Sequence, residues 1–257
     1  MSTVTSKDGT RIAFEQSGEG PAIILVVGAF NDRATGAPLA QFLKPHFTVF
    51  NYDRRGRGES GDTAPYAAER EIEDLDALIA KAGGSACVFG YSSGAILALR
   101  AAAQGLAIPQ LALYEPPPTG GKAGNLAPRL TELISAGRRG DAVELFQTEG
   151  VGIPAPVVAQ MRKAPFRPAL EKTAHTLVYE STILGSLPTE LIASVRVPTL
   201  VIDGEESPEV MRHAAQSLAE ALPDGRHRTL GGQGHDLVPA AVVPVLEEFF
   251  LAQIATD

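Results

Sequence analysis

Tryptophan is absent from this 257-residue chain, cysteine occurs once, at Cys87, and aromatic residues amount to only 6%. A single thiol cannot close an internal disulfide or complete a cysteine-based zinc cluster, so neither device is available to hold the fold. Basic residues are scarce as well: 22 Lys and Arg stand against 30 Asp and Glu, a formal charge of −8. That balance is the opposite of the basic stripe a phosphate backbone requires, and no nucleic-acid partner is expected. No apolar run approaches the roughly 18–20 residues of a membrane helix, and residues 1–10 lack the apolar stretch of a signal peptide. The expected setting is cytoplasmic, with no membrane partner and a monomer or homodimer. There is no Cys/His ligand spacing, no H-E-x-x-H, no G-x-G-x-x-G and no phosphate-binding G-x-x-x-x-G-K-[ST]. Neither a metal nor a cofactor is expected.

What is present is a globular composition, 44% apolar and 20% charged, in a length that suits one α/β domain carrying an insertion. The first quarter reads as a β-hairpin: Val4 and its neighbours, a Lys7-Asp8-Gly9 turn, and residues 11–16 with Ile12 and Phe14 alternating. Residues 22–27 and 47–52 are continuous apolar runs, as in strands of a parallel sheet covered on both faces. Ile72, Leu75, Leu78, Ile79 and Ala82 recur at helical spacing before a Gly83-Gly84 stop. Strands at 85–89 and 111–114 flank an Ala-rich helix at 95–104. From 116 to 188 several short amphipathic helices follow one another without a strand, broken at 137–140, 150–156 and 165–168. Alternation resumes with a strand at 199–203, a helix at 208–222, a strand at 226–230 and a closing helix through 242–250. The expected architecture is an α/β core built from 1–115 and 189–257, mostly a parallel sheet with helices on both faces, and a helical cap at 116–188.

Gly90-Tyr91-Ser92-Ser93-Gly94 joins the strand at 85–89 to the following helix. In that context a G-x-S-x-G match places the serine on a sharp, strained turn, and Gly90 and Gly94 let strand and helix approach. The free N–H groups at the helix start then face the serine oxygen, where negative charge develops in acyl transfer. Ser92 is the candidate nucleophile; an ordinary Gly-flanked helix cap is the plainer alternative. Cys87, within a strand, reads as a small buried apolar residue.

Together with the elbow, Tyr52-Asp53-Arg54-Arg55-Gly56-Arg57-Gly58-Glu59-Ser60 resembles the D-x-R-G-x-G-x-S loop of the α/β-hydrolase fold family, and the resemblance covers nearly the whole chain. The loop reads as a structural corner, with Asp53 pairing to Arg54 or Arg55. The resemblance implies a base on a loop after the last strand. His235, in Gly231-Gly232-Gln233-Gly234-His235-Asp236, is in that place; His46, His175, His213 and His227 fall before a strand, in the insertion, on a helix and in the last strand. It implies as well an Asp after the strand at 199–203, where this chain has Gly204-Glu205-Glu206-Ser207-Pro208. Two carboxylates offer themselves instead: Glu206, one residue early, and Glu115, at the end of 111–114, the place used in some branches of the family. Glu115 is favoured, because ligand sites in parallel sheets gather at the carboxyl ends of strands. A helix-cap role for Glu115, a solvated turn charge for Glu206 and a dyad without an acid are the alternatives.

The resemblance further implies two oxyanion donors, the N–H of Ser93 and the N–H of Phe30 in Gly28-Ala29-Phe30-Asn31-Asp32, where Gly28 replaces the family's histidine. A serine in the elbow, where epoxide hydrolases and haloalkane dehalogenases carry aspartate, argues against their alkyl-enzyme route. The expected activity is hydrolysis of a small, fairly hydrophobic carboxylic ester or lactone. Carbon–carbon bond hydrolysis or perhydrolysis on the same site is the alternative, and a non-catalytic ligand-binding protein is the rival from another class. Phe146, Met161, Phe166 and Tyr179 are candidate pocket residues of the cap, although packing among its helices accounts for most such side chains.

Overall fold

The computed structural model describes residues 1–252. β1 (Ser2–Thr5) and β2 (Arg11–Ser17) form the antiparallel hairpin, with Thr5 opposite Arg11. Gly9 supplies the positive φ of 86° that the turn needs, and Asp8 accepts from the Thr10 N–H at 3.0 Å. The two apolar runs become β3 (Ala22–Val26) and β4 (Thr48–Tyr52). Between them lies α1 (Arg33–Leu43), a helix that the sequence pattern does not announce. Gly36 and Pro38 punctuate that stretch like a loop, yet both sit inside the helix. Gly36 has a packing reason: a Cβ there would lie 2.5 Å from Asn51 Oδ1 of β4, so its absence lets α1 press onto the sheet. Asp32 caps the helix by accepting from the Ala34 N–H at 2.8 Å.

α2 (Ala68–Lys81) buries Ile72, Leu75, Leu78 and Ile79 as the spacing predicts, and also Glu71 and Asp74. β5 (Cys87–Tyr91) starts two residues later than expected, so Gly90 and Tyr91 belong to the strand. α3 (Ser93–Ala103) follows, with nearly every residue buried because its alanines allow close approach to the sheet. β6 (Leu111–Tyr114) leads into the helical segment: α4 (Ala127–Ser135), α5 (Arg139–Leu145), a π-helical turn Phe146–Val151, α6 (Ala155–Met161), α7 (Arg167–Lys172), α8 (Thr176–Ile183) and α9 (Thr189–Ser194). β7 (Thr199–Gly204), α10 (Glu209–Ala221), β8 (Gly225–Leu230) and α11 (Pro239–Ala252) complete the described chain.

Among the described residues the strands form one sheet in the order β1-β2-β4-β3-β5-β6-β7-β8, parallel from β4 to β8. β5, β6 and β7 are buried throughout, which is why their sequences run apolar without alternation. One face packs on α1 and α11 through Leu39, Leu43, Leu246 and Phe250; the other packs on α2, α3 and α10 through Leu75, Leu78, Leu97 and Leu218. No described helix is long and apolar enough to cross a membrane. The parallel strands all end on the same edge of the sheet, so the residues after β3, β5, β6, β7 and β8 converge there.

Candidate active site

Among the described non-glycine residues, three have a positive φ: Phe30 at 62°, Ser92 at 56° and Glu115 at 53°. Each follows a parallel strand, and each was singled out as a site residue on sequence grounds. Backbone held this way costs about 1–3 kcal/mol per residue and persists where the surroundings over-determine it. At Ser92 they do: its N–H donates to the Tyr114 carbonyl at 2.9 Å, and α3 begins at the next residue. The elbow glycines are sterically required. A Cβ on Gly90 would lie 2.6 Å from Ala95 Cα, and one on Gly94 would lie 2.2 Å from the Val26 carbonyl oxygen. Gly28 presses on Ser92 from the β3 side, where a Cβ would come within 2.8 Å of Ser92 Cβ.

Glu115 and His235 are brought together, with Nδ1 of the imidazole 3.1 Å from Glu115 Oε2. The carboxylate is fully buried while the imidazole is 44% exposed, so the ring is oriented from below and open above. The other carboxylate oxygen, Oε1, accepts from the Gly204 N–H at 2.7 Å and from the Ser207 hydroxyl at 2.8 Å. Burial pushes the Glu115 carboxyl up; the bonds from His235, Gly204 and Ser207 outweigh it and hold the group below the ordinary carboxylate value. An ionised Glu115 requires the proton of a neutral His235 to be on Nδ1, leaving Nε2 as an acceptor. Glu206 is exposed, and only its backbone N–H engages the loop, at the Gln233 carbonyl. Ser207, standing where the family pattern has its acid, instead donates its hydroxyl to Glu115.

The loop carrying His235 is fixed by two tyrosines. Tyr91 donates to the His235 carbonyl at 2.8 Å, and Tyr114 donates to the Gly234 carbonyl at 2.8 Å. Neither was picked out from sequence. The available signal was that a tyrosine closing a buried strand must find a partner for its hydroxyl. Gly204 permits the loop's close approach, since a Cβ there would lie 2.3 Å from the Gln233 oxygen. Ser92 Oγ and His235 share no hydrogen bond among the described residues; such contacts often tighten only when substrate is bound.

The N–H groups of Phe30 and Ser93 donate to no protein acceptor among the described residues. The Phe30 ring packs edge-to-face on Phe146 of the π-helical turn, centroids 5.8 Å apart. With glycine in the histidine place, Arg57 braces this loop, donating to the carbonyls of Gly28 at 2.6 Å and Asn31 at 3.1 Å. The expected pairing of Asp53 with Arg54 or Arg55 is not what forms. Asp53 pairs with Arg33, while Arg54 forks onto Glu71 and Arg55 onto Asp74. Two acidic residues of α2 that face the core made this arrangement, and a helical wheel read for apolar positions passes over them.

The other candidate residues fall outside the cluster. Cys87 is buried, and burial pushes its thiol up to about 12, which disfavours the thiolate. His46 and His213 are exposed, and His227 pairs with Asp203 on the outer strand. Of the candidate pocket residues, Phe146 reaches the Phe30 loop, Phe166 is exposed, and Tyr179 stacks on Tyr66 with centroids 3.8 Å apart. No group of three or more His, Cys, Asp or Glu among the described residues is placed to hold a metal ion. Removing the Ser207 hydroxyl tests the support of Glu115. Ser207→Ala is expected to lower stability at neutral pH by about 1.5–3 kcal/mol, the range for a hydrogen bond to a charged group, measured by urea unfolding.

A sequence model of the alpha/beta hydrolase family matches residues 23–245. An alpha/beta hydrolase from Sphaerobacter thermophilus, solved by crystallography, is 55% identical, covers 97% of this chain and 100% of its own, and superposes with a TM-score of 0.89. N-formylmaleamate deformylase from Pseudomonas putida is 37% identical over 107 residues, 40% of each chain, and an uncharacterized hydrolase of Bacillus subtilis is 37% identical over 95 residues, 35% of each. The matched stretches thus span well under half the length of these curated relatives. The enol-lactonase from Burkholderia xenovorans, at 23% identity, a TM-score of 0.70 and full coverage of both chains, shares the fold. Matched over most of its length by the family's own pattern and over nearly all of it by a close structural relative, the chain belongs to the alpha/beta hydrolase family.

Proposed function

We propose that this chain is a serine hydrolase acting on a small, fairly hydrophobic carboxylic ester or lactone through an acyl-enzyme on Ser92. The observation that carries the reading is the hydrogen bond between buried Glu115 and His235 at the sheet edge where Ser92 is held at positive φ. Ser92 Oγ attacks the substrate carbonyl carbon while His235 Nε2 takes its proton, and Glu115 stabilises the imidazolium that forms. The tetrahedral oxyanion lies against the N–H groups of Ser93 and Phe30, at the positive end of the α3 dipole. Collapse expels the alkoxide, which His235 protonates. Water, deprotonated by the same nitrogen, then attacks the acyl carbon; the acyl–Oγ bond breaks, the acid departs, and His235 returns the proton to Ser92.

Residues 116–188 serve as a cap over this edge, and the packing of Phe146 on Phe30 supports that placement. The aromatic contact between Phe30 and Phe146 favours a compact apolar acyl group. Solved relatives described as esterases or as an enol-lactonase share the fold, and the deformylase from Pseudomonas putida matches part of the sequence, all compatible with acyl transfer. A panel of p-nitrophenyl esters and lactones graded by acyl length checks the assignment. Turnover is expected for short acyl chains, falling about tenfold or more once the chain outgrows the cap, as a loss of 1–3 kcal/mol per misfitting methylene implies. No turnover of any member, together with no stoichiometric fluorophosphonate adduct, would instead identify a binding protein on a hydrolase scaffold.

A further inference from the structure

The charged groups beneath the Phe30 loop form a network the catalytic steps do not use. Arg54 and Arg57 are buried, and both reach Glu180 of α8, which is itself fully buried. Arg54 Nη1 also donates to the Val27 carbonyl at 3.1 Å, while Arg57 Nη1 donates to those of Gly28 and Asn31. Glu71 takes the remaining fork of Arg54 at 2.7 and 2.9 Å, so two cations meet two carboxylates. Glu180 Oε2 and the Ser93 hydroxyl are neighbours, both buried, and neither makes a well-formed hydrogen bond. One carboxylate from the helical segment between β6 and β7 thus touches both arginines that grip the Phe30 loop and abuts the residue after the nucleophile.

We infer that Glu180 and Arg57 are positioning residues, through which seating of the cap sets the backbone of the Phe30 loop and hence the geometry of the oxyanion hole. A buried ion pair adds little net stability compared with an apolar replacement. It does fix geometry, because a guanidinium fork has a set direction at each of its nitrogens. With Glu180 in place, Arg57 has its charge opposed on one side and two backbone carbonyls at defined positions on the other. Without it, the buried guanidinium must turn toward other acceptors or solvent, releasing the Gly28 and Asn31 carbonyls. The effect on rate rests on the hydrolase reading above; the effect on the loop does not.

The comparison that separates the two is Glu180→Gln, nearly isosteric, against Arg100→Gln. Arg100 also ties the core to the helical segment, donating to the carbonyls of Ile183 at 2.9 Å and Gly185 at 3.0 Å, without touching the Phe30 loop. Amide exchange over residues 28–35, where the Arg33 and Ala34 N–H groups are protected by Asp53 and Asp32, is expected to quicken about tenfold or more in Glu180→Gln and to stay within about twofold of wild type in Arg100→Gln. On the best ester of the panel, kcat in Glu180→Gln is expected to fall about 10²-fold with KM little changed, the size of effect small misplacements produce. Should Glu180→Gln fail to fold, Arg57→Lys replaces it, since lysine keeps the charge for Glu180 but loses the fork, and the same exchange and kcat changes are expected. Unchanged exchange over 28–35 in the folded variant, or equal quickening in Arg100→Gln, overturns the inference even if wild type turns over esters. Quickened exchange in Glu180→Gln, when the wild type turns over nothing, upholds the loop coupling and sinks the hydrolase reading alone.

Discussion

Replacing Ser92 by alanine is expected to remove the stoichiometric fluorophosphonate adduct seen by intact mass and to lower ester turnover about 10⁵-fold or more, the scale on which loss of a serine nucleophile is felt. The substitution deletes one oxygen at a site where backbone, neighbours and helix start are unchanged, so stability is expected to stay near wild type. Ser93 is the informative control. Its hydroxyl is buried and its proposed role is carried by its N–H, so Ser93→Ala retains the adduct. A wild-type adduct that survives in Ser92→Ala would place the reactive hydroxyl elsewhere and undo the proposed chemistry.

Glu115→Gln carries the second largest expected effect, a fall in kcat of about 10³–10⁴-fold with the fold retained. The reason is tautomeric. The amide oxygen still accepts from Gly204 and Ser207, which leaves the NH₂ group facing His235 Nδ1. The ring then keeps its proton on Nε2, the nitrogen that has to receive the serine proton. Glu206→Gln, at an exposed position, is expected to change kcat by less than about twofold, as is usual for surface substitutions away from special features. Steady-state kinetics on the same ester read both, and the opposite ranking would transfer the acid role to Glu206.

Much of this arrangement was legible in the residues. Strands covered on both faces announce themselves as apolar runs, and β3 to β7 were all read within two residues of their bounds. The elbow was legible because its glycines answer a steric demand that the structure makes explicit at Ala95 and Val26. Glu115 was legible because its place at a strand's carboxyl end is a topological property. What escaped was of two kinds. α1 was hidden by Gly36 and Pro38, since local propensity says loop while the need to approach Asn51 says helix. The buried arginines and their acidic partners were hidden because their pairing spans distant segments, Arg54 to Glu180 above all. Sequence spacing reports contacts within an element, and these lie between elements.

The two tyrosines under the loop that carries His235 set how the site responds to disturbance. Tyr91 is the residue before Ser92 and Tyr114 the residue before Glu115, and both hydroxyls end on the backbone of residues 234 and 235. The His235 imidazole is thereby indexed to the very strands that carry Ser92 and Glu115. A displacement shared by β5 and β6 takes the imidazole along with it and leaves the relative positions of the three side chains unaltered. Drift in sequence elsewhere on the 231–238 loop is buffered in the same way, because the grip falls on carbonyl oxygens, which every residue type supplies.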